Sequence, residues 1–144
     1  MRAVDTNILV YARRQEPPEH DVARKLLNQL STGADPWVVP WPCIYEFLRV
    51  VTHPRVFHPP TPLPAAWAAI EVLLDSPSVV VISAGPRHRT ILADLLRRAP
   101  VTGNLVHDAH IAALLIEHGV GEILTADDDF RKFREIKVTN PFRA

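Results

Sequence analysis

Short apolar runs alternate along the chain with longer stretches in which apolar residues recur every three or four positions. Each run has the length of a buried strand, and the pattern predicts strands over Arg2–Val4, Trp37–Val39, Val79–Ile82 and Glu122–Leu124. The run Val79–Ile82 is apolar throughout, which is typical of a strand covered on both faces. Lys137–Thr139 is more polar, and we expect it to form a last strand at an edge of the sheet.

Amphipathic segments fill the intervals between these runs. They predict helices over Thr6–Ala12, Glu19–Leu30, Pro42–Val51, Ala65–Leu74, Arg87–Arg98 and Asn104–His118, and a short helix over Asp128–Phe133. Gly119 is expected to close one of them as a left-handed cap. The proline-dense segment His53–Pro64 excludes a helix or a central strand and predicts a surface loop. Strands alternating with helices predict an α/β sandwich with a mostly parallel central sheet, formed as a single domain by residues 1–144.

Composition narrows the classes of function. Hydrophobic residues make up 47% of the chain, and 16 basic residues balance 16 acidic ones. A nucleic-acid site must therefore be a local patch rather than a basic coat. The single cysteine, Cys43, excludes an intrachain disulfide. The N-terminus lacks the pattern of a signal peptide, and no apolar run reaches the ~18 residues that a membrane span needs, so we expect a cytoplasmic protein.

Four carboxylates lie at strand ends or helix starts. Asp5 and Asp127 follow predicted strands, whereas Glu46 and Asp108 lie about one turn into predicted helices. The carboxyl ends of parallel strands share one edge of a sheet, which is where ligands bind in such folds, so the four can converge there. Partly buried carboxylates cannot all stay ionised unless a cation offsets them, and hard oxygen ligands select Mg²⁺ or Mn²⁺.

Four motifs then resemble those of the PIN-domain ribonucleases, specifically the VapC toxins of toxin–antitoxin pairs. They are VDTNIL, IYEFLRVVTHPRVF, GNLVHDAHIAAL and LTADDDF, and together they span nearly the whole chain in the family's order. The resemblance implies a PIN-like α/β/α sandwich and a metal-dependent endoribonuclease that hydrolyses RNA with a metal-activated water and no protein nucleophile. It also implies a small VapB-like antitoxin as partner and a homodimer. The apolar segment PAAWAAIEVLL has more apolar surface than one core face needs, so Trp67 could pack in a dimer interface, in an antitoxin groove or in the core.

The same resemblance assigns the site residues. It makes Asp5, Glu46, Asp108 and Asp127 the catalytic, metal-binding acids. Asn7 and Thr125 would support them, with Asn104 as an N-cap or a second support. Of the three consecutive aspartates, Asp129 is expected to cap the short helix or support the site from its edge, and Asp128 to be solvated.

RNA contacts are predicted from arginines near the acids. The candidates are Arg49, Arg13 and Arg89, with Arg14 and Arg87 as further ones, because guanidinium groups suit phosphate. Trp41 and Tyr45 could stack on bases, although we expect both to pack in the core.

Three other interpretations stay open at this point. A phosphatase of the haloacid-dehalogenase type also begins with a strand-end aspartate, but it needs a second aspartate where this chain has Asn7. A catalytically silent PIN-like binding module is another. A zinc site at His107 and His110 is disfavoured, because Asp108 between them points to a different side of the helix.

Overall fold

Five short strands form one sheet in the computed structural model, which describes residues 1–143. In chain order the strands are β1 Arg2–Val4, β2 Trp37–Pro40, β3 Val79–Ile82, β4 Glu122–Leu124 and β5 Lys137–Thr139. Their order across the sheet is β3-β2-β1-β4-β5, and every neighbouring pair is parallel. The predicted α/β class is confirmed, and the sheet is wholly rather than mostly parallel.

The helices follow the predicted segments closely. They are α1 Thr6–Arg13, α2 His20–Thr32, α3 Trp41–Val51, α4 Leu63–Leu74, α5 His88–Arg98 and α6 Leu105–Glu117, with a 3₁₀ helix at Asp129–Lys132. Helix α4 starts two residues earlier than predicted, because Pro64 fits a first helical turn, where no backbone donor is needed. Gly119 has a φ of 70°, as its predicted left-handed role requires. None of the helices described in residues 1–143 is long and apolar enough to cross a membrane.

The core lies where α6 crosses the central strands. Alanines 109, 112 and 113 of α6 are fully buried, and their small side chains allow this helix to approach the sheet closely. Trp37, Phe47 and Phe130 are among the largest fully buried side chains around it. Each such side chain contributes roughly 1.5–3 kcal/mol to the free energy of folding.

Strand β3 differs from its prediction. It lies at an edge of the sheet, and Val80 is 40% exposed. The prediction of a strand covered on both faces was wrong, because an apolar run records the hydrophobicity of its residues and not which strands pair beside it.

Arg14 contacts the proline-rich loop. Its guanidinium donates to the hydroxyl of Thr61 at 3.1 Å and to the carbonyl of Pro59 at 2.9 Å. It also lies over the ring of Phe57, 4.4 Å from the centroid. These three contacts give Arg14 a structural role in this loop, and an RNA contact by Arg14 stays a prediction.

Glu117 joins the end of α6 to the loop that follows β3. Its side chain is buried, and its two carboxylate oxygens accept the backbone N–H groups of Gly85 and Arg87, each at 2.9 Å. The guanidinium of Arg87 donates back to the carbonyl of Glu117, which gives Arg87 a structural role, and its RNA contact stays a prediction. The hydrogen bond from Gly85, followed by that from Arg87, holds the pKa of Glu117 below its ordinary value.

Replacing Glu117 with alanine is expected to lower the unfolding temperature by roughly 5 °C, because two backbone donors lose their acceptor. A thermal melt at pH 7 measures this. The loss should shrink as the pH falls through the pKa of Glu117, since an acid with a lowered folded-state pKa stabilises only while it is ionised. Glu71→Ala, at an exposed position of α4, is the matched control. Equal melting temperatures for both variants would contradict the prediction.

Candidate active site

The segments that follow β1 and β4 meet at the carboxyl edge of the sheet. These strands are neighbours, and the backbone N–H of Asp5 donates to the carbonyl of Leu124 at 3.0 Å. Asp5 and Thr125, the residues directly after the two strands, are therefore brought side by side although they are 120 positions apart.

Asp5 is buried, and donors hold both of its carboxylate oxygens. The backbone N–H of Thr6 donates to Oδ1 at 2.7 Å, and the hydroxyl of Thr125 donates to Oδ2 at 2.8 Å. The thiol of Cys43 lies 3.9 Å from Oδ1. Burial raises the pKa of Asp5 to about 6, and the hydrogen bond from Thr125 offsets part of that rise. The carboxylate is thus fixed in position but costly to ionise.

Thr125 and Asn7 connect Asp5 to Asp127. The hydroxyl oxygen of Thr125, which is fully buried, accepts the backbone N–H of Asp127 at 3.1 Å and the amide of Asn7 at 3.0 Å. The same amide group lies 3.3 Å from Oδ2 of Asp127 and 3.5 Å from Oδ2 of Asp5. The carbonyl oxygen of Asn7 accepts the backbone N–H of Ala126 at 3.2 Å. This network sets the spacing of the two carboxylates.

Asp108 approaches the pair from α6. Its side chain is partly buried, and its pKa rises to about 7 through burial and then through the negative charges of Asp5, Asp129 and Asp127. The pKa of Asp127 is raised as well, by burial and then by Asp129. Asp5, Asp108, Asp127 and Asp129 are therefore close enough for their negative charges to affect one another.

The three consecutive aspartates have different surroundings. Asp128 pairs with Arg131 at 3.0 Å and Arg143 at 3.5 Å, and these arginines lower its pKa. Asp129 lies inside the 3₁₀ helix, after the residue at the N-cap position, so it does not cap that helix as the sequence suggested. Its charge acts on Asp108 instead, because the 3₁₀ helix packs against α6.

Glu46 has an arginine partner on its own helix. Its carboxylate pairs with the guanidinium of Arg49 one turn along α3, at 2.5 Å. The sequence predicted convergence of all four acids; hydrogen bonds and mutual charge effects connect Asp5, Asp108 and Asp127, and a place for Glu46 among them stays a prediction. Arg49 lies three residues after Glu46 on the same helix, so the Glu46 carboxylate can form an ion pair without turning toward the other acids.

The remaining candidates lie in different surroundings. Asn104 occupies the N-cap position of α6, but its side chain makes no capping hydrogen bond. Arg13 lines a groove of about 820 Å³ between α1, α2 and α4, whereas Arg89 is exposed on α5. Tyr45 is 66% exposed, so the prediction that it packs in the core was wrong. Sequence reasoning missed Cys43, although its position three residues before Glu46 at the start of α3 was a usable signal.

The donor set fits a divalent cation in its chemistry. Asp5, Asp108 and Asp127 offer hard oxygen ligands, and burial, followed by the charges of neighbouring aspartates, raises their pKa values. Within residues 1–143, no three Asp, Glu, His or Cys side chains surround one point closely enough to hold an ion as they stand.

Asp108→Asn is expected to stabilise the metal-free protein by on the order of 1–2 kcal/mol at pH 8, a figure discounted for the partial exposure of this carboxyl group. The folded-state pKa of about 7 lies above the unfolded value of 3.8, so folding takes up a proton between these limits. The destabilisation that ionised Asp108 causes in the folded state is therefore absent below about pH 4 and complete above about pH 7. Urea unfolding in EDTA at pH 4.5 and pH 8 measures it, and a gain that does not grow with pH would contradict this assignment.

A family model and two similar sequences agree on the family of this chain. The family model described as "PIN domain" matches residues 2–136. Ribonuclease VapC43 of Mycobacterium tuberculosis is 37% identical over 141 residues, which cover 98% of this chain and 95% of that protein. Ribonuclease VapC25 of the same organism is 33% identical over 141 residues, covering 98% of this chain and 99% of that protein.

Solved structures share the fold at lower identity. VapC20 of Mycobacterium tuberculosis, described as a sarcin-ricin loop cleaving toxin, matches with a TM-score of 0.68 at 18% identity, covering 91% of this chain and 93% of that chain. VapBC2 from Rickettsia felis, bound to a DNA fragment from its promoter, matches with a TM-score of 0.67 at 17% identity, covering 96% and 97%.

Proposed function

This chain belongs to the PIN-domain family, and on that premise we propose that it is a metal-dependent endoribonuclease, the toxin of a VapBC-type toxin–antitoxin pair. The observation that carries the proposal is the hydrogen-bond network of Thr125 and Asn7 that holds Asp5 and Asp127 side by side at the carboxyl edge of the sheet. The two relatives named above are ribonucleases, and their sequences align with almost the whole length of this chain. This similarity supports RNA as the substrate.

The chain's own residues have distinct parts in this chemistry. Thr125 and the Thr6 backbone fix the direction of the Asp5 carboxylate, and Asn7 orients Asp127 toward it. Asp5, Asp108 and Asp127 would hold Mg²⁺ or Mn²⁺. We also propose Glu46 as a ligand, for which its ion pair with Arg49 would have to break. When bound, a divalent cation neutralises negative charge on the phosphoryl oxygens and lowers the pKa of a water molecule for phosphodiester hydrolysis.

Arg49 is the cation best placed to meet RNA among the predicted arginines. It is exposed and lies on the same helix as Glu46, beside the acidic edge. A guanidinium presents a planar fork of donors that matches phosphate oxygens. Arg13 and Arg89 also remain predictions for RNA contact.

An antitoxin partner belongs to the same proposal. The solved relatives include VapBC complexes, in which a toxin and its antitoxin occur together. We propose a VapB-like partner and a homodimer for this chain. On α4, Leu63 is 58% exposed and Trp67, one turn later, is 39% exposed, which suits a contact with another chain better than complete burial in this one.

The decisive experiment incubates the purified chain with total RNA in Mn²⁺, in Mg²⁺ and in EDTA, beside an Asp5→Asn variant. We expect internal cleavage in either metal and none in EDTA. The variant should lose cleavage because an amide cannot supply the negative charge of the carboxylate. Circular dichroism of both proteins checks that the variant is folded.

Other outcomes would select the rival interpretations. Cleavage in EDTA, or equal cleavage by the Asp5→Asn variant, would contradict the nuclease assignment. Hydrolysis of p-nitrophenyl phosphate without RNA cleavage would favour the phosphatase, although the amide of Asn7 occupies the position where that enzyme class needs a second acid. RNA binding without cleavage in any metal would indicate a silent binding module.

A further inference from the structure

A depression of about 310 Å³ lies at the same edge of the sheet as the aspartates. Trp41 and Tyr45 of α3 form one side, Ser83 lies on a second side, and His110 of α6 lies on a third. None of these residues has a role in the network that holds Asp5 and Asp127. The depression is therefore a separate feature with its own chemistry.

Sheet topology fixes its position relative to the acids. Helix α3 begins directly after β2, and Ser83 directly follows β3, whereas Asp5 directly follows β1. The strands lie in the order β3-β2-β1, so the depression is one to two strand spacings from Asp5. Neighbouring strands are about 4.8 Å apart, which gives a separation of roughly 5–10 Å. That distance is within reach of the nucleotide next to one bound at the aspartates.

The lining matches a nucleobase. Tyr45 is 66% exposed, and its ring lies 6.0 Å from that of Trp41 at a tilt of 31°, so the two form an open aromatic wall. Ser83 offers a hydroxyl, and His110 offers ring nitrogens whose orientation is fixed by edge-on contact with His88 at 5.3 Å. An imidazole ring can both donate and accept hydrogen bonds at a base edge.

The size of the depression favours a base over a second copy of the chain. A stable interface between proteins buries about 800 Å² on each partner, far more than this small concave patch offers. Pockets for small ligands begin at about 300 Å³. Aromatic stacking and a few edge contacts are also the means by which proteins recognise unpaired RNA bases.

We propose that this depression binds the base of a nucleotide flanking the scissile phosphodiester, with Tyr45 as the stacking platform and with Ser83 and His110 contacting the base edge. This inference rests on the proposed ribonuclease function and adds a residue-level source of sequence preference to it. The ligand class is a single-stranded RNA base with an accessible ring face.

The test uses a pool of random-sequence single-stranded RNA decamers cleaved in Mn²⁺, with sequencing of the new ends. The wild-type chain should show a base preference at one position beside the cut. Tyr45→Leu should erase that preference and raise KM by about fivefold or more, with kcat changed by less than about twofold. Tyr45→Phe should keep the preference, since the ring is retained. Val106→Ala, at an exposed position of α6, is the control.

Three results would overturn the proposal. One is an unchanged preference and KM in Tyr45→Leu. Another is an equal loss of activity with every base at every position. The third is a shift from dimer to monomer in sedimentation of Tyr45→Leu, which would assign this face to a second copy.

A second arm separates this inference from the proposed function. If the wild-type chain does not cleave RNA, fluorescein-labelled RNA heptamers with one abasic residue at successive positions are titrated in EDTA and followed by anisotropy. One abasic position that weakens binding to the wild type, but not to Tyr45→Leu, would support the base site without nuclease activity. Equal weakening in both proteins would overturn it.

Discussion

Asp127→Asn is expected to reduce RNA cleavage on the order of 10³-fold, the largest effect among the three adjacent aspartates. Asp127 is connected through Asn7 and Thr125 to Asp5, and its pKa is raised by burial and then by the charge of Asp129. Its amide analogue keeps the shape but loses the charge. Single-turnover cleavage of one RNA oligonucleotide in saturating Mn²⁺ measures the loss.

The neighbouring residues supply matched controls for that variant. Asp129→Asn is expected to weaken cleavage about tenfold, because its charge reaches Asp108 and Asp127 from the side. Asp128→Asn should change cleavage by less than about twofold, since its exposed pairs with Arg131 and Arg143 contribute little. A reversed order, with Asp128→Asn most damaging, would show that the catalytic aspartate had been misassigned.

Thr125→Val is expected to lower cleavage by about 10- to 100-fold while leaving all the acids in place. The substitution conserves shape but removes the hydroxyl that donates to Asp5 and accepts from Asp127 and Asn7. Without that donor the pKa of Asp5 should rise further, and the spacing between the carboxylates should relax. Metal affinity, measured by calorimetric titration with Mn²⁺, should fall together with the cleavage rate.

The serine variant isolates the hydroxyl as the cause. Thr125→Ser keeps the oxygen and loses only a methyl group, so it should retain most of the cleavage and most of the Mn²⁺ affinity. A thermal melt of both variants tests whether the fold persists at this fully buried position. Full activity in folded Thr125→Val would contradict a positioning role for the hydroxyl.

The sequence located nearly every helix and strand, with boundaries within a few residues of the structure. Apolar periodicity reports which face of a segment is buried, and in this chain burial decides most of the local structure. It also indicated that Asp5 and Asp127 would meet, because both follow strands and parallel strands end at one edge. The role of Asn7 as their support came from the family resemblance, and the hydrogen bonds of its side chain are consistent with it.

Choices between competing partners could not be predicted in the same way. Glu46 pairs with Arg49 on its own helix, and the guanidinium groups of Arg14 and Arg87 donate to backbone carbonyls. Each of these side chains has several possible partners in the sequence. Packing alone decides which of them lies within hydrogen-bonding distance.

The sequence by itself thus determined the fold class, the order of the elements and the strand-end acids, because all three follow from hydrophobic pattern and chain order. Only the tertiary structure decided that β3 is an exposed edge, that Tyr45 faces solvent beside the aspartates, and that Asp129 acts on Asp108. These features depend on contacts between segments far apart in the chain. Such contacts are set by the packing of whole elements, which no local pattern of residues specifies.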